Sequence, residues 1–355
     1  MSVNVRVDVG KLGVLTRVGD GGQGIVYAAP GIRMQYASSL VYKEYKPTVL
    51  AGLNVAVLEA MPAYLETLPF TDGIELLSLT AWPCRLVEDR DVVKGFVMPA
   101  IPDEFFLTMN KTSGASKEKG EFQHLLNSES FIARRNIPLT DQRRYELLAE
   151  TAKALSVLHR HNVSVGDLSP KNLLFSFSPV TKVFFIDCDA MRFQKNSVVQ
   201  QLETPEWEVH AANPREELAT PASDSYKLGL LALRLLVGHQ STRDPNQLPA
   251  SAPKPIKQLI TAALNARPES RPAPTDWISA LNTATAKASN KPAQLTRLTP
   301  TTPRPITNMS PPVQAPLQPT QNPTKANHGG RRGNRRAGRR TNVHVAFEPL
   351  SEQPL

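Results

Sequence analysis

The sequence predicts an α+β fold in three stretches: strands with one helix over 1–103, mostly helices over 104–286, and a tail over 287–355. Three observations predict it. Alternating valines open the chain, the period-two pattern of a strand. Apolar stripes at helical spacing dominate after Asp103. From Ala288 onward Pro, Thr, Asn, Gln and Arg take over and periodicity stops. Such a stretch buries too little apolar surface to offset its chain entropy, so the tail is expected to be disordered.

The elements follow in order. Val3, Val5, Val7 and Val9 alternate with Asn4, Arg6 and Asp8 as one strand. Gly13 to Val18 is a second. It runs into Gly19-Asp20-Gly21-Gly22-Gln23-Gly24 and then the β-rich Ile25-Val26-Tyr27. The glycines therefore lie at a strand–turn–strand. Leu40 to Lys43 is another strand. Residues 48–68 read as a helix with Leu50, Leu53, Val57, Leu58, Met61 and Leu65 on one face. Ala81 to Pro99 holds two strands around the Glu88-Asp89-Arg90-Asp91 turn. Lys111 to Gly120 is polar and reads as a loop. Helices are expected over 121–135, 141–160, 222–238 and 255–284, the second capped at Thr140-Asp141.

Composition narrows the classes. The chain has 355 residues and a net charge of +9. From Lys287 onward there are eleven Lys/Arg and two Asp/Glu, so the positive charge belongs to the tail. Two distant cysteines, Cys84 and Cys188, form neither a disulfide framework nor a zinc spacing, which suits a reducing cytosol. The opening residues lack a signal peptide's apolar run, and Leu228 to Val237 is too short to span a bilayer. A cytoplasmic location without a transmembrane segment is expected.

The chemistry concentrates at Gly166-Asp167-Leu168-Ser169-Pro170-Lys171-Asn172 and Phe185-Ile186-Asp187. An Asp and an Asn five apart, then an apolar strand and a second Asp, are what ATP-dependent phosphoryl transfer needs. Asp167 is placed to orient a hydroxyl. Asn172 and Asp187 supply the hard oxygens that Mg²⁺ takes, with Mn²⁺ as an alternative. Lys171 is a candidate for neutralising the transferring phosphate. Gly19, Gly21 and Gly24 let backbone amides approach phosphates. Lys43 stands about twenty residues beyond them, where it would meet the α/β-phosphates. A helix carboxylate would hold it, Glu59 being better spaced than Glu66. His159 reads as a packed helix-end residue.

Taken in order, these residues resemble the bacterial protein kinases similar to eukaryotic serine/threonine kinases, over residues 10 to about 285. The resemblance implies a bilobal fold: a small β-rich lobe over 1–103, a larger helical lobe over 104–286, and ATP between them. Gly19, Gly21 and Gly24 match the phosphate loop and Lys43 the strand lysine. Asp167, Asn172 and Asp187 match the catalytic and metal positions. Val26, Val41 and Leu174 fall where adenine-packing residues lie, and Met98 to Ile101 at the hinge. Asp224 and Arg271 match structural residues of the large lobe, with Glu206 or Glu208 as the arginine's partner.

The departures are specific. The family's His-Arg-Asp reads Val165-Gly166-Asp167, which removes the clamp for a phosphorylated activation loop. Asp-Phe-Gly reads Asp187-Cys188-Asp189, which adds a carboxylate near the metal. An active Ser/Thr kinase with protein substrates, itself included, is the leading expectation. A pseudokinase scaffold and a small-molecule phosphotransferase are the alternatives. A regulatory partner protein is expected to supply the input. The basic run Arg331 to Arg340 suggests an anionic partner, nucleic acid or lipid. Thr299-Pro300, Thr302-Pro303 and Ser310-Pro311 are expected autophosphorylation sites.

Overall fold

Strand pairing organises the first hundred residues. The computed structural model describes residues 5–34, 37, 39–210 and 216–289. Its largest sheet holds β1 (Arg6–Asp8), β2 (Thr16–Asp20), β3 (Gly24–Ala28), β4 (Leu40–Tyr45), β5 (Arg85–Asp89) and β6 (Val92–Pro99). Their order is β1-β5-β6-β4-β3-β2. β1 runs parallel to β5, and the other neighbours are antiparallel. The period of two sorts the side chains of β4. Leu40 and Tyr42 join Leu12, Ala29, Val87 and Val97 in one apolar cluster. Tyr45 joins the main core with Phe96 and Leu86. Lys43, two before Tyr45, shares that second face.

Helical segments cover the main-core face. The single helix expected over 48–68 is two, α1 (Pro47–Leu50) and α2 (Val55–Thr67). Asn54 restarts the helix by accepting the Val57 amide with its side chain. Leu58, Met61 and Leu65 of α2 are buried, as the stripe predicts. A further helix, α3 (Phe70–Leu79), starts directly after Pro69, where the sequence pattern predicts no element.

Two other expectations change. Lys111 to Gly120 is no loop: β7 (Phe106–Lys111) and β8 (Gly114–Lys119) form an antiparallel hairpin. Met109 is the one fully buried residue of the pair, so there is no apolar alternation to read. Over 121–135, a 3-10 turn at Phe122–His124 precedes a short α4 (Glu129–Arg134).

The remaining helices are α5 (Asp141–Arg160), α6 (Pro221–Val237), α7 (Lys254–Ala263) and α8 (Pro274–Ser289). Thr140 caps α5 by accepting from Arg143. The 255–284 helix is broken because Arg267-Pro268 and Arg271-Pro272 interrupt the backbone ladder. Leu228 to Val237 falls inside α6, and Leu228 to Leu235 is buried throughout. No helix among the described residues is long and apolar enough to cross a membrane. Short strands connect the helices. β10 (Leu173–Ser176) pairs with β11 (Lys182–Phe185), and β9 (Val163–Ser164) pairs with β12 (Arg192–Phe193), which pairs with β13 (Asn196–Ser197). One continuous core runs from Tyr45 and Phe96 through Leu155 and Phe185 to Trp277. Val3, the tail from residue 290 with Arg331 to Arg340, and the Thr-Pro and Ser-Pro sites lie outside the described residues.

Both cysteines are buried thiols. Burial pushes Cys84 up to about 12 and Cys188 well above its ordinary value. A thiol-specific reagent at pH 8 is therefore expected to modify neither in the folded protein and both after denaturation. Fast modification of the native protein would contradict this packing.

Candidate active site

The loop from Val165 to Asn172 is a run of tight turns. The Asp167 amide donates to Val165 O (2.8 Å), Ser169 to Asp167 O (2.7 Å), and Asn172 to Ser169 O (3.1 Å). Below it, Thr220 and Ser223 form a capping box that starts α6 and sets Asp224 in its first turn. Asp224 is 0% exposed. It accepts the Val165 amide and the Gly166 amide, each at 2.8 Å, and lies 2.9 Å from His159 Nε2. This gives His159 the packed helix-end place expected of it. A buried carboxylate thus satisfies two backbone donors that the loop geometry leaves without a ladder partner. Gly166 sits at φ +70°, and a Cβ there would come within 2.7 Å of Ala219 and Gln201. That crowding and the left-handed backbone explain why position 166 is glycine.

Asp167 is partly exposed at the loop's apex. Asn172 Nδ2 donates to its Oδ2 (3.0 Å). Thr204 donates its amide (3.2 Å) and its hydroxyl (2.8 and 2.9 Å) to the same carboxylate. The nitrogen end of the Asn172 amide is committed to Asp167, so a cation would meet its oxygen end. The Ile186 amide donates to Asn172 O (3.0 Å), which brings Asp187 alongside. Asp187 adopts the left-handed conformation, φ 55° and ψ 40°, which Asp tolerates better than most residues. Its side chain is 48% exposed.

Lys43 is 4% exposed. Its Nζ donates to both carboxylate oxygens of Asp189 (2.8 and 2.9 Å), to Gln23 Oε1 (2.8 Å), and to Asp187 Oδ1 at 3.4 Å. Tyr45 donates its hydroxyl to Asp189 Oδ2 (2.8 Å). Burial pushes the Lys43 ammonium down, and the carboxylates of Asp189 and Asp187 outweigh it, leaving its pKa raised. The tyrosine and Phe96 rings lie 5.7 and 5.8 Å from Nζ.

The lysine partner corrects the sequence reading. Glu59 accepts Arg6 Nε (2.8 Å) and Nη2 (2.9 Å), and Glu66 accepts Arg85 (2.6 Å); Asp189 takes Lys43 instead. The hydrogen bond from Arg6 holds the Glu59 carboxyl below its usual range. Arg271 pairs with Glu216 (2.6 and 2.8 Å), not with Glu206 or Glu208. Sequence reasoning noted Asp189 as an added charge and missed its role. Two carboxylates flanking one cysteine, with a single strand lysine opposite, are the signal.

The other expected residues fall as follows. Val26, Val41, Met98, Ile101 and Leu174 all pack on the main core. Register places Val26 opposite Lys43, and Val41 opposite Met98. Gly24 is glycine for an internal reason, since a Cβ would lie 2.3 Å from Glu44 O. Gly19 and Gly21 face no such crowding. Lys171 is exposed, next to Asn172.

Two substitutions separate the lysine's partners. Asp189→Ala removes the buried carboxylate that takes the Lys43 ammonium with both oxygens and is expected to cost about 3 kcal/mol in urea unfolding. Glu59→Gln disrupts a pair that is a third exposed and is expected to cost under about 1 kcal/mol. Equal losses would contradict the assignment. Asp224→Ala leaves two buried amides without acceptors, for an expected loss of roughly 3 kcal/mol or more by the same measurement.

Over 137 residues, 38% of its length, the chain is 31% identical to the probable serine/threonine-protein kinase PknB of Lactococcus lactis subsp. lactis (strain IL1403). The match spans 21% of that protein's length. No protein-family model matches the chain. The likeness is a kinase-like relationship over part of the sequence.

Proposed function

We propose that the chain is a serine/threonine protein kinase with a bilobal fold, transferring the γ-phosphoryl group of ATP to protein hydroxyls, its own included. The small lobe is residues 1–103 and the large lobe 104–286. One observation carries the reading: strand β4, the Val165–Asn172 loop and the turn at Asp187 are joined through polar contacts that bring Lys43, Asp167, Asn172 and Asp187 together. The partial likeness to a protein kinase supports it.

The residues divide the work. Phosphoryl transfer asks the protein for positioning and charge more than for covalent chemistry. The Asp167 carboxylate accepts the Thr204 hydroxyl at 2.8 Å, a hydrogen bond of the kind that would align an incoming hydroxyl. Lys43 supplies fixed positive charge toward the phosphates, and Lys171 adds an exposed cation beside Asn172. A Cβ on Gly21 would make only an ordinary contact with Gly24 O at 3.9 Å and one on Gly22 would meet nothing within 4 Å, so internal packing does not account for those glycines, which fits a role in letting phosphates approach. Val26, Val41, Met98, Ile101 and Leu174 offer the apolar wall for an adenine ring. Asp187 and Asn172 fit Mg²⁺, or Mn²⁺, because a hard cation bridging phosphates takes one or two protein oxygens. When bound, the cation supplies charge neutralisation on the phosphate oxygens.

One observation favours a second reading, a nucleotide-binding scaffold. Thr204 donates to both oxygens of Asp167, so an acceptor hydroxyl must share that carboxylate with it. Mass spectrometry after incubation with Mg²⁺-ATP separates the two. The wild type is expected to gain phosphate on Ser or Thr. Asp187→Asn is expected to gain none, and Asp167→Asn to be slower by about 100-fold or more. Absence of phosphate with ATP-dependent thermal stabilisation would favour the scaffold. Phosphate on an added small molecule alone would favour the small-molecule phosphotransferase.

A further inference from the structure

Helix α6 carries two buried charges one turn apart, Asp224 and Lys227, 0% and 1% exposed. They hold one residue, Gly166, through the peptide units on either side of it. Asp224 accepts the Gly166 amide at 2.8 Å, and Lys227 Nζ donates to the Gly166 carbonyl at 2.7 Å. Lys227 also pairs with Glu203 Oε1 at 3.0 Å, and the Glu203 side chain is 5% exposed. Glu203 Oε1 in turn accepts the Val209 amide at 3.0 Å. The residue after Glu203 is Thr204, whose amide and hydroxyl both rest on Asp167. Polar contacts therefore run from α6 to Gly166, next to Asp167, and to Glu203, next to the Thr204 that holds the Asp167 carboxylate.

We propose that Lys227 is a positioning residue: by tying Glu203 to Gly166 it sets Thr204 against Asp167 and orders the segment Val198–Val209 without phosphorylation. The argument from energetics is direct. A buried ion pair is seldom more stable than apolar side chains of the same volume, and its best-attested use is to fix register. Here the register in question is that of one segment against the Val165–Asn172 loop. The sequence agrees. From Met191 to Val209 the hydroxyl residues are Ser197 and Thr204, and Thr204 is already committed to Asp167. With glycine at position 166, a carboxylate carried in the sequence does the ordering, and Lys227 receives it. The consequence for turnover rests on the kinase reading; the ordering of the segment does not.

The test uses the full chain with two readouts, amide hydrogen exchange over Val198–Val209 and steady-state phosphoryl transfer. Glu203→Gln keeps the shape and removes the charge. It is expected to speed exchange in that segment and to lower kcat about 10- to 100-fold through misplacement of Thr204. KM for ATP is expected to stay at the wild-type value. Lys227→Met is expected to do the same. If it fails to fold, Lys227→Met with Glu203→Met removes both charges of this pair together and replaces it. Phosphatase treatment of the wild type is expected to change neither readout. Wild-type exchange in Glu203→Gln, or a rate that phosphatase abolishes, would overturn the proposal. If the wild type transfers no phosphate, the kinase reading fails, and exchange alone still decides the role of Lys227.

Discussion

An ammonium ion removed from water sets the terms for the sheet side of this molecule. Lys43 sits on a central strand, facing the apolar core, where an isolated charge costs far more than the fold can supply. It is tolerated because Asp189, fully buried, receives it with both oxygens. Much else follows from that pair. The chain after β11 must turn sharply to deliver a carboxylate to the strand, and it does so with Asp187 in the left-handed region. Tyr45 supplies a third hydrogen to the same carboxylate, and Gln23 brings the glycine hairpin to the ammonium.

A second polar centre lies under the loop that carries Asp167. It rests on Asp224, and its partners differ from those of Lys43. The apolar core between the two centres is continuous, so each charge cluster is embedded in packing that resists displacement. Asn172 belongs to the loop and Asp187 to the Lys43 cluster, and together they join the two neighbourhoods. The Ile186 amide ties one to the other, while Asp187 Oδ1 reaches Lys43. The candidate site is thus assembled from two separately stabilised halves.

Legibility in the sequence tracked physical signal. The long α5 was readable because a cap preceded its apolar stripe, and α6 because of its apolar run from Leu228 to Val237. The strands β3 to β6 were readable from β-branched runs. The β7–β8 hairpin was not, since its outward polar residues carry no burial pattern. Breaks within helical stretches were missed where a single Asn or an X-Pro step decided them. Within the site, Lys43, Asp167, Asn172 and Asp187 came from spacing. Their mutual contacts did not, because a partner such as Asp189 or Thr204 is chosen by tertiary geometry that local spacing does not encode. Glu59 illustrates the limit. Its helical spacing was suitable, yet Arg6 on an adjacent strand element claims it.

Moving the lysine's carboxylate from a helix to the turn after Asp187 changes what can be coupled to the site. On α2, the carboxylate would make the Lys43 contact depend on how that helix sits against the sheet. At Asp189, it lies two residues from Asp187, within one 3-10 turn. Whatever displaces that turn displaces both carboxylates together. The Arg6–Glu59 pair keeps α2 attached to β1 at the opposite end of the sheet order from β2, independently of Lys43. A shift of α2 therefore leaves the ammonium paired, and control over the Lys43 contact passes to the segment that begins at Asp187.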